Sequence, residues 1–509
     1  MLVVIATHNF TAYPTNRSEE YFLHTFRKKT AQYGYVRQPG GKFSYSVIKN
    51  YSLLLSNPTR YIFHINQYTD FKACAAPNNI ALEEQILPLP PVKPADIKVV
   101  VDFDFRPNQA LVYPFLTDGD VNNRAKLVAL PPGDGKGFLA AKVMEHFGVT
   151  TAFIFRPQWL QKWAKELVRY FGFGRDDFYI VTGLDTLIQL SKMLKRGHPG
   201  YKVYLISNKT YQLYLQEYEK KGDLTLHGYI ANPPEFLQAL GVGMRITDEG
   251  HLDFHLNYLI ELYTHVNLSL TMSGSMKSLD KFINKLYEIM FPLHLRGPAI
   301  PVNKYMNVKA YSYGVDQSRN VLQRIQTSEW GCTSYSHNAF EKSILRNPYF
   351  VSFYMGAINY IVIHEYLHKR KPGQKLRIFA SLSAMCAKIV ESLKRFHPEE
   401  DIRKYVSTDK DPYDNLLNAG ICVTTPGSGG TGHDIPDVIA TINTVVVQSI
   451  QGNLQISGRG REIVGENVIH AYLFCSEIPK QQEYHETRLV TLGEVCKTFE
   501  TYTLPFIMK

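Results

Sequence analysis

Short, mostly apolar runs alternate with stretches of helical spacing between residues 96 and 292. Four runs predict buried strands, because strands of a parallel sheet are covered on both faces and read as near-continuous apolar segments; they are residues 126–130, 151–155, 202–206 and 243–247. Between the second and third runs, Trp159 to Tyr170 has the spacing of an amphipathic helix. The alternation indicates an α/β lobe on a parallel sheet, covering residues 96–292.

The same alternation returns from residue 346 to residue 509 and predicts a second α/β lobe. We expect a helix from Val351 to Tyr366 and another from Ser383 to Phe396. The predicted strands are residues 376–380, 421–424 and 444–447. The glycines and prolines of residues 293–345 indicate a connector or an extended excursion between the two lobes.

Residues 1–86 predict a small, basic α+β domain, followed by a proline-rich linker at 87–95. Residues 44–48 and 60–65 have strand character, and 38–41 that of a turn. Up to residue 72, basic residues exceed acidic ones by six, more than half of the chain's net charge of +10. Aromatic residues interleave with these charges: Tyr33, Tyr35, Phe43, Tyr45 and Tyr51. The domain either binds nucleic acid, with Arg27, Lys28, Lys29, Arg37 and Lys42 contacting phosphates, or has core tyrosines and solvated lysines.

The composition, with 45% hydrophobic and 20% charged residues over 509 positions, is that of a globular protein of several domains. A basic chain favours polyanionic partners. The six cysteines are scattered without metal-binding or redox spacing, which favours free thiols in a reducing compartment. The start lacks a signal-peptide pattern, and no apolar run is long enough for a bilayer. We expect a cytoplasmic monomer with no membrane partner.

The first run of lobe 1 leads into a glycine-rich turn, Gly133-Asp134-Gly135-Lys136-Gly137, and then a helix. Backbone amides of such a turn converge on phosphate oxygens, and Lys136 would reach the terminal phosphates of a nucleotide. In phosphate loops a Ser or Thr hydroxyl normally follows the lysine and binds Mg²⁺, but Gly137 stands there. A simple strand-to-helix turn is the alternative.

Asp248 and Glu249 follow the fourth run, at the strand end where open α/β sheets bind ligands. Asp248 would hold Mg²⁺, and Glu249 would orient and deprotonate the attacking water. We expect His251 to link them to Ser273 and Ser275. A solvated helix cap is the alternative.

The second lobe has a glycine-rich loop, residues 425–434, after one of its strands. Gly432 permits close backbone approach, and Asp434 would accept a ribose hydroxyl or hold an arginine. Further on, Gln455, Arg459 and Arg461 suit charge neutralisation at the γ-phosphate in the transition state. A surface basic helix is the alternative.

These motifs, in this order, resemble the superfamily 2 helicases and translocases over roughly residues 100 to 470, with most likeness to the phage UvsW-type branched-DNA helicases. The resemblance implies two RecA-like parallel-sheet lobes in tandem after a small basic N-terminal domain, with ATP and Mg²⁺ as cofactors. It also implies that Arg106 and Gln109 belong to the adenine-reading element, that Arg156, Pro157, Gln158 and Thr425 grip nucleic acid, and that Ser273 and Ser275 couple the sites. The chain departs from the pattern at Gly137 and at Glu462, where the last arginine of the sixth motif is usual.

The expected function is therefore an ATP-dependent DNA helicase or translocase that remodels branched DNA, in the host cytoplasm if phage-encoded. An ATP-gated DNA clamp, an RNA-directed helicase and a restriction-type motor subunit are the alternatives. His364-Glu365-Tyr366-Leu367-His368 fits a zinc-protease pattern, but no obvious third ligand follows, so we expect no zinc.

Overall fold

The computed structural model describes residues 1–37, 43–55, 59–119, 125–131, 134–274, 280–301, 303–329, 334–429, 435–460, 462–463 and 465–509. The chain forms two compact units. The first comprises Met1–Leu130 and Asp134–Ile300, and the second is built on Pro301–Lys509.

The N-terminal part of the first unit is a mixed five-stranded sheet of order β5-β6-β2-β1-β7, with a separate antiparallel hairpin β3-β4. Its elements are β1 Leu2–Ile5, β2 Asn9–Tyr13, α1 Arg17–Thr30, β3 Gln32–Arg37, β4 Phe43–Ile48, β5 Ser52–Leu54, β6 Arg60–His64, α2 Tyr68–Ala75 and β7 Glu83–Ile86. Both strands predicted from the sequence are present, as β4 and β6. The predicted turn at 38–41 and Lys42 lie outside the described residues.

Aromatic rings fill the space between this sheet and its two helices. Phe10, Phe63 and Phe71 are fully buried and in mutual contact, with ring centroids 4.9–6.1 Å apart. Tyr51 is also buried, under the guanidinium of Arg27 at 5.6 Å from its centroid. For Tyr51, the structure therefore agrees with the alternative in which the tyrosines belong to the core.

The rest of the first unit is a parallel α/β lobe with strand order β10-β11-β9-β12-β13-β8. Its elements are α3 Pro107–Thr117, β8 Ala125–Ala129, α4 Lys136–Phe147, β9 Thr151–Phe155, α5 Leu160–Phe171, β10 Phe178–Val181, α6 Leu184–Lys195, β11 Val203–Ser207, α7 Asn208–Lys221, α8 Pro233–Ala239, β12 Met244–Asp248, α9 Phe254–Glu261, β13 Leu268–Ser273 and α10 Lys281–Met290. The four predicted strands correspond to β8, β9, β11 and β12 within one residue, and the predicted helix to α5.

The proline-rich segment 87–95 runs along this lobe. Lys93 N donates to Gly241 O, and Thr150 N donates to Lys93 O, each at 2.9 Å. His265 Nε2 lies 3.1 Å from Pro88 O. These bonds hold the segment against the lobe, so it acts as a fixed strap within the first unit.

The second unit contains a seven-stranded parallel sheet of order β16-β17-β15-β18-β19-β14-β20. Its elements are β14 Met306–Tyr313, α11 Val321–Arg324, α12 His337–Arg346, α13 Pro348–Val362, β15 Lys375–Phe379, α14 Ser383–Phe396, β16 Ile402–Tyr405, α15 Tyr413–Asn418, β17 Ile421–Thr424, α16 Pro426–Gly429, β18 Val438–Asn443, α17 Ile450–Ser457, β19 Val468–Cys475, α18 Pro479–Gly493 and β20 Cys496–Thr503. A π-helical turn, Ile363–Leu367, continues α13.

The strand predicted at 444–447 is wrong, because the chain leaves the sheet after Asn443. Thr444 N and Oγ1 both donate to Phe379 O, at 3.0 and 2.8 Å, and Val445 N donates to the Asn443 side chain. Val445 and Val446 are buried outside the sheet. Burial, and not strand pairing, explains why these residues are apolar.

The range 293–345, predicted to be a connector, contributes a strand to the second sheet. β14 pairs in parallel with β19 over its whole length and with β20 on its other side. It therefore lies inside the sheet, and the second lobe starts well before residue 346.

None of the helices in the described ranges is long and apolar enough to cross a lipid bilayer.

A buried ion network joins the N-terminal domain to the α/β lobe. Glu261, at the end of α9, pairs with Arg245 of β12 and lies 3.0 Å from His8 Nδ1. All three side chains are almost wholly inaccessible. Burial raises the pKa of Glu261, but the charges of Arg245 and His8 outweigh it and lower the pKa to about 2.

We expect Glu261→Gln to lower the free energy of unfolding of the first unit by about 3–5 kcal/mol at neutral pH, because Arg245 is left buried without its counter-charge. The pKa of Glu261 lies below its ordinary value of 4.5, at about 2, so its contribution is complete above about pH 5 and is lost as the pH falls from 4.5 towards 2. Urea unfolding from about pH 3 to about pH 7 checks this.

The stability gap between Glu261→Gln and the unaltered protein should shrink as the pH falls, and a gap of constant size would contradict the assignment. Burial also lowers the pKa of His64, to about 4, but His64 is present in both proteins. Glu391→Gln is the control, because Glu391 and Lys388 form an exposed pair on α14 and should contribute only a few tenths of a kcal/mol.

Candidate nucleotide-binding site

The carboxyl ends of β8, β12 and β13 meet at one edge of the first lobe's sheet, because the three strands are parallel neighbours. Lys136, the first residue of α4, lies there beside Glu249, with Nζ 2.5 Å from Oε1. Only 11% of the lysine side chain and 14% of the glutamate side chain are accessible. Two residues that are 113 positions apart in the chain are therefore in direct contact.

The turn that leads into α4 is braced by Gln109 of α3. Its Nε2 donates to Gly135 O at 2.9 Å, and its Oε1 accepts from Arg106 N at 2.8 Å. Gly135 has a φ of +71°, and a Cβ there would lie 2.5 Å from Gln109 Nε2, so only glycine fits. Asn108 Nδ2 donates to Asp134 at 2.6 Å. Gln109 thereby shapes the loop, and its proposed contact with adenine stays a prediction. Gly133 lies outside the described residues.

Asp248 is buried at the end of β12 with both carboxylate oxygens oriented. Oδ2 accepts from Trp163 Nε1 at 3.1 Å, and Oδ1 accepts from Glu249 N at 2.9 Å. Burial raises the pKa of Asp248, Lys162 opposes the rise, and Glu249 adds to it. Trp163 and Lys162 belong to α5. The family resemblance groups Trp163 with the element expected to grip nucleic acid, and no sequence pattern indicated that either side chain acts on Asp248.

Glu249 is held ionised by its neighbours. Burial raises its pKa, but Lys136 and His251 outweigh that effect and lower it to about 2. Its backbone has a φ of +49°, in the left-handed region that a residue with a Cβ rarely adopts. Such local strain is typical of functional sites.

His251 connects Glu249 to β13. Its Nδ1 lies 2.6 Å from Ser273 Oγ and 3.4 Å from Glu249 Oε2. Burial lowers the pKa of His251 to about 4, so the ring is neutral at physiological pH. The predicted link from the carboxylates to Ser273 is therefore present in the geometry, while Ser275 lies outside the described residues.

The element after β9, predicted to grip nucleic acid, is partly engaged within the lobe. Arg156 forms a two-pronged ion pair with Asp253, at 2.9 and 2.8 Å, and Asn208 donates to the same carboxylate at 3.2 Å. Pro157 and Gln158 lie in an exposed 3₁₀ turn. Pro157 and Gln158 present exposed surface for a partner, and the Arg156 side chain is 31% accessible beside its ion pair.

In the second unit, Thr425 follows β17 and caps a short turn: its Oγ1 donates to Ser428 Oγ at 3.0 Å. Gln455 lies on α17, and the nearly buried Arg459 donates from Nε to Gln455 O at 3.4 Å. Gly432, Asp434 and Arg461 lie outside the described residues, so their assigned roles stay predictions.

Arg488 of α18 was missed by the sequence analysis. It is fully buried, stacks over Tyr472 at 4.7 Å, and donates to Asn453 Oδ1 at 3.1 Å and to Val445 O at 2.5 Å. Asn453 belongs to α17, so Arg488 positions the helix that carries Gln455. Arginine in a polar helix normally indicates a solvated face, and no sequence signal distinguished this one.

The His-Glu-x-x-His stretch lies where α13 becomes a π-helical turn. Glu365 is ion-paired with Lys309 at 3.0 Å and with Lys369 at 2.7 Å, and also accepts from Tyr311, whereas His364 and His368 are exposed. In the described part of the chain, no three or more His, Cys, Asp or Glu side chains are placed to hold a metal ion.

Neither the comparison with protein-family models nor the search of curated protein sequences gives a match. Solved structures do match. Mss116p bound to ssRNA and AMP-PNP is 14% identical, with 78% of this chain and 74% of that chain covered and a TM-score of 0.50. T4 UvsW is 12% identical with 99% of both chains covered and a TM-score of 0.35, and the Pyrococcus furiosus Hef helicase domain is 12% identical with 75% and 98% covered and a TM-score of 0.41.

At these identities the likeness shows the fold alone. The chain shares the fold of Mss116p: two parallel-sheet, RecA-like α/β lobes follow one another along the chain, after a small N-terminal α/β region. The fold predicted from the sequence is confirmed.

Gly250, in the turn after Glu249, packs closely against β13. A Cβ on Gly250 would lie 2.3 Å from Thr271 Cγ2 of β13, so Gly250→Ala should destabilise the protein by about 1–3 kcal/mol. Thr271→Ser deletes that methyl group, and the double variant should regain most of the loss. Thermal and urea unfolding of the two single variants and the double variant check this. Additive losses in the double variant would show that the two positions do not collide.

Proposed function

We propose that this protein is an ATP-dependent helicase or translocase that acts on DNA and remodels branched DNA. One observation carries the proposal: Lys136, Asp248, Glu249, His251 and Ser273 lie together at the carboxyl edge of a parallel sheet, beside a glycine turn at a helix N-terminus. The fold shared with Mss116p supports it.

Binding of ATP would place phosphates at the start of α4, where backbone amides and the positive end of the helix dipole favour anions. The first turn of α4 contains no acidic residue to oppose them. Lys136 would then leave its ion pair with Glu249 and bind the phosphates instead. The loss of its positive neighbour raises the pKa of Glu249 towards its ordinary range, so Glu249 becomes a better base for water.

Asp248 would hold the Mg²⁺ that accompanies ATP. The Asp248 carboxylate suits a magnesium ligand, since hydrogen bonds from Trp163 and from the amide of Glu249 hold it in one orientation. Magnesium prefers one or two carboxylates together with phosphate oxygens, and when bound it neutralises charge on the phosphates. In the second lobe, the sequence motif assigns to Arg459 the role of adding positive charge in the transition state.

Substrate choice rests on charge. The chain carries a net charge of +10, to which residues 1–72 contribute +6, and Lys28 is exposed on α1. Phosphate contacts of this kind bind duplex and branched DNA without reading sequence. An RNA-directed helicase is the second candidate, because the solved Mss116p is bound to ssRNA. An ATP-gated clamp with weak or no hydrolysis remains the third, because Gly137 lacks the usual hydroxyl.

Glu249→Gln should reduce ATP turnover by about 100-fold or more, because it removes the proposed general base. It should leave nucleotide binding intact or tighter, because Lys136 loses the partner that competes with phosphate. Lys136→Ala should weaken binding itself. Turnover assays and fluorescent-nucleotide titrations measure the two effects. Lys142→Ala is the matched control, since Lys142 lies on the same helix and pairs with Glu145. Undiminished turnover in both site variants would show that the site is misassigned.

We expect ATP turnover to rise most with forks and four-way DNA junctions, less with linear duplex and least with single-stranded RNA. A panel that adds RNA–DNA hybrids, measured for turnover and unwinding over a range of salt, checks this, because phosphate contacts weaken steeply with salt. Stimulation by RNA alone would favour the second candidate. Nucleotide binding without turnover on any nucleic acid would favour the clamp.

A further inference from the structure

A carboxylate fills the space beside Gly137, where the usual hydroxyl is missing. A Cβ built on Gly137 would lie 3.3 Å from Glu166 Oε2 and 3.5 Å from the hydroxyl of Tyr170. A Ser or Thr side chain at this position would therefore point its oxygen into the volume next to Oε2. Glu166 comes from α5, a different helix from the one that carries Gly137.

Glu166 is partly buried, and its Oε2 has less than 1 Å² of accessible surface and no hydrogen-bond partner among the described residues. A buried carboxylate oxygen without a donor or a cation is costly, so native proteins seldom keep one unless something else binds it. Glu166 Oε2 therefore lies next to the proposed nucleotide site without a donor or a cation.

The same helix already orients the other acidic oxygen of the site. Trp163, three residues before Glu166 and on the same face of α5, donates to Asp248 Oδ2 at 3.1 Å. Helix α5 therefore connects Asp248 on one side with the position beside Gly137 on the other. Two carboxylates, together with phosphate oxygens and water, are a ligand set that Mg²⁺ prefers.

We propose that Glu166 supplies, to the Mg²⁺ of the bound nucleotide, the oxygen ligand that the missing hydroxyl at position 137 would have given. The ligand is either direct or through one water. The inference rests on the proposed ATP site and adds a residue to it. It also explains how a phosphate loop can retain magnesium with glycine after its lysine.

The test measures metal affinity and not activity. Mn²⁺ serves as the probe, titrated by electron paramagnetic resonance into the protein saturated with a non-hydrolysable ATP analogue. Glu166→Ala and Glu166→Gln should weaken Mn²⁺ binding by about tenfold or more, while binding of the analogue in excess chelator stays unchanged. Glu145→Gln is the matched control, because Glu145 lies near the far end of α4, where it accepts from Lys142 and from Val99 N, and its replacement should not alter Mn²⁺ affinity.

A second part of the test asks whether a hydroxyl at position 137 can replace the Glu166 carboxylate. Gly137→Thr combined with Glu166→Ala should recover most of the Mn²⁺ affinity, because the restored hydroxyl has the space that Glu166 vacates. In the presence of Glu166, Gly137→Thr is crowded by the carboxylate and should bring no gain. Thermal unfolding of Glu166→Ala should show no loss of stability, since no bond within the described protein is removed, whereas a merely structural role predicts a lower unfolding temperature.

Unchanged Mn²⁺ affinity in both Glu166 variants, with analogue binding intact, would overturn this inference alone. Failure of the unaltered protein to bind the analogue, or undiminished binding by Lys136→Ala, would instead overturn the nucleotide site on which the inference depends.

Discussion

The ion pair between Lys136 and Glu249 is the interaction around which the candidate site is organised. It exists because β8 and β12 are parallel and flank β13, so that residues following both strands emerge at one edge. The pair also sets the chemistry, since the lysine charge keeps the pKa of Glu249 low, at about 2. A nucleotide that attracts the lysine would thereby release the carboxylate as a base. In the proposed mechanism, substrate binding and activation of the catalytic group are consequences of one exchange of partners.

Sequence patterns predicted the elements in which apolar positions mark the side that packs into the core of a sheet or against it. Strand Ile421–Thr424 and helix Ser383–Phe396 are such elements, and both have the predicted bounds. Residues 444–447 misled the prediction, since Val445 and Val446 are buried by packing outside the sheet. Strand Met306–Tyr313 was missed because only pairing with strands more than 150 residues later in the chain makes it one.

The residues of the candidate site could be predicted where they belong to short sequence motifs. Lys136, Asp248, Glu249, His251 and Ser273 were each proposed from local spacing, and the structure places them together. The contact that orients Asp248 was not predictable in this way, because Trp163 reaches it from a helix that the sequence marks only as amphipathic. Glu166 beside Gly137 and the buried Arg488 of the second unit were missed for the same reason: their neighbours are distant in the chain. The roles of Gly133, Gly432, Asp434 and Arg461 stay predictions.

Strand β12 links the chemistry to the N-terminal domain. Asp248 at its end belongs to the candidate site, while Arg245, three residues earlier, joins the buried network with Glu261 and His8. The strap of residues 87–95 adds backbone bonds to the same lobe. A basic domain fixed in this manner cannot reorient without breaking buried charge pairs, which is far more costly than bending a flexible linker. If its exposed basic residues bind a phosphate backbone, the N-terminal domain and the nucleotide lobe would therefore move relative to that backbone as one body.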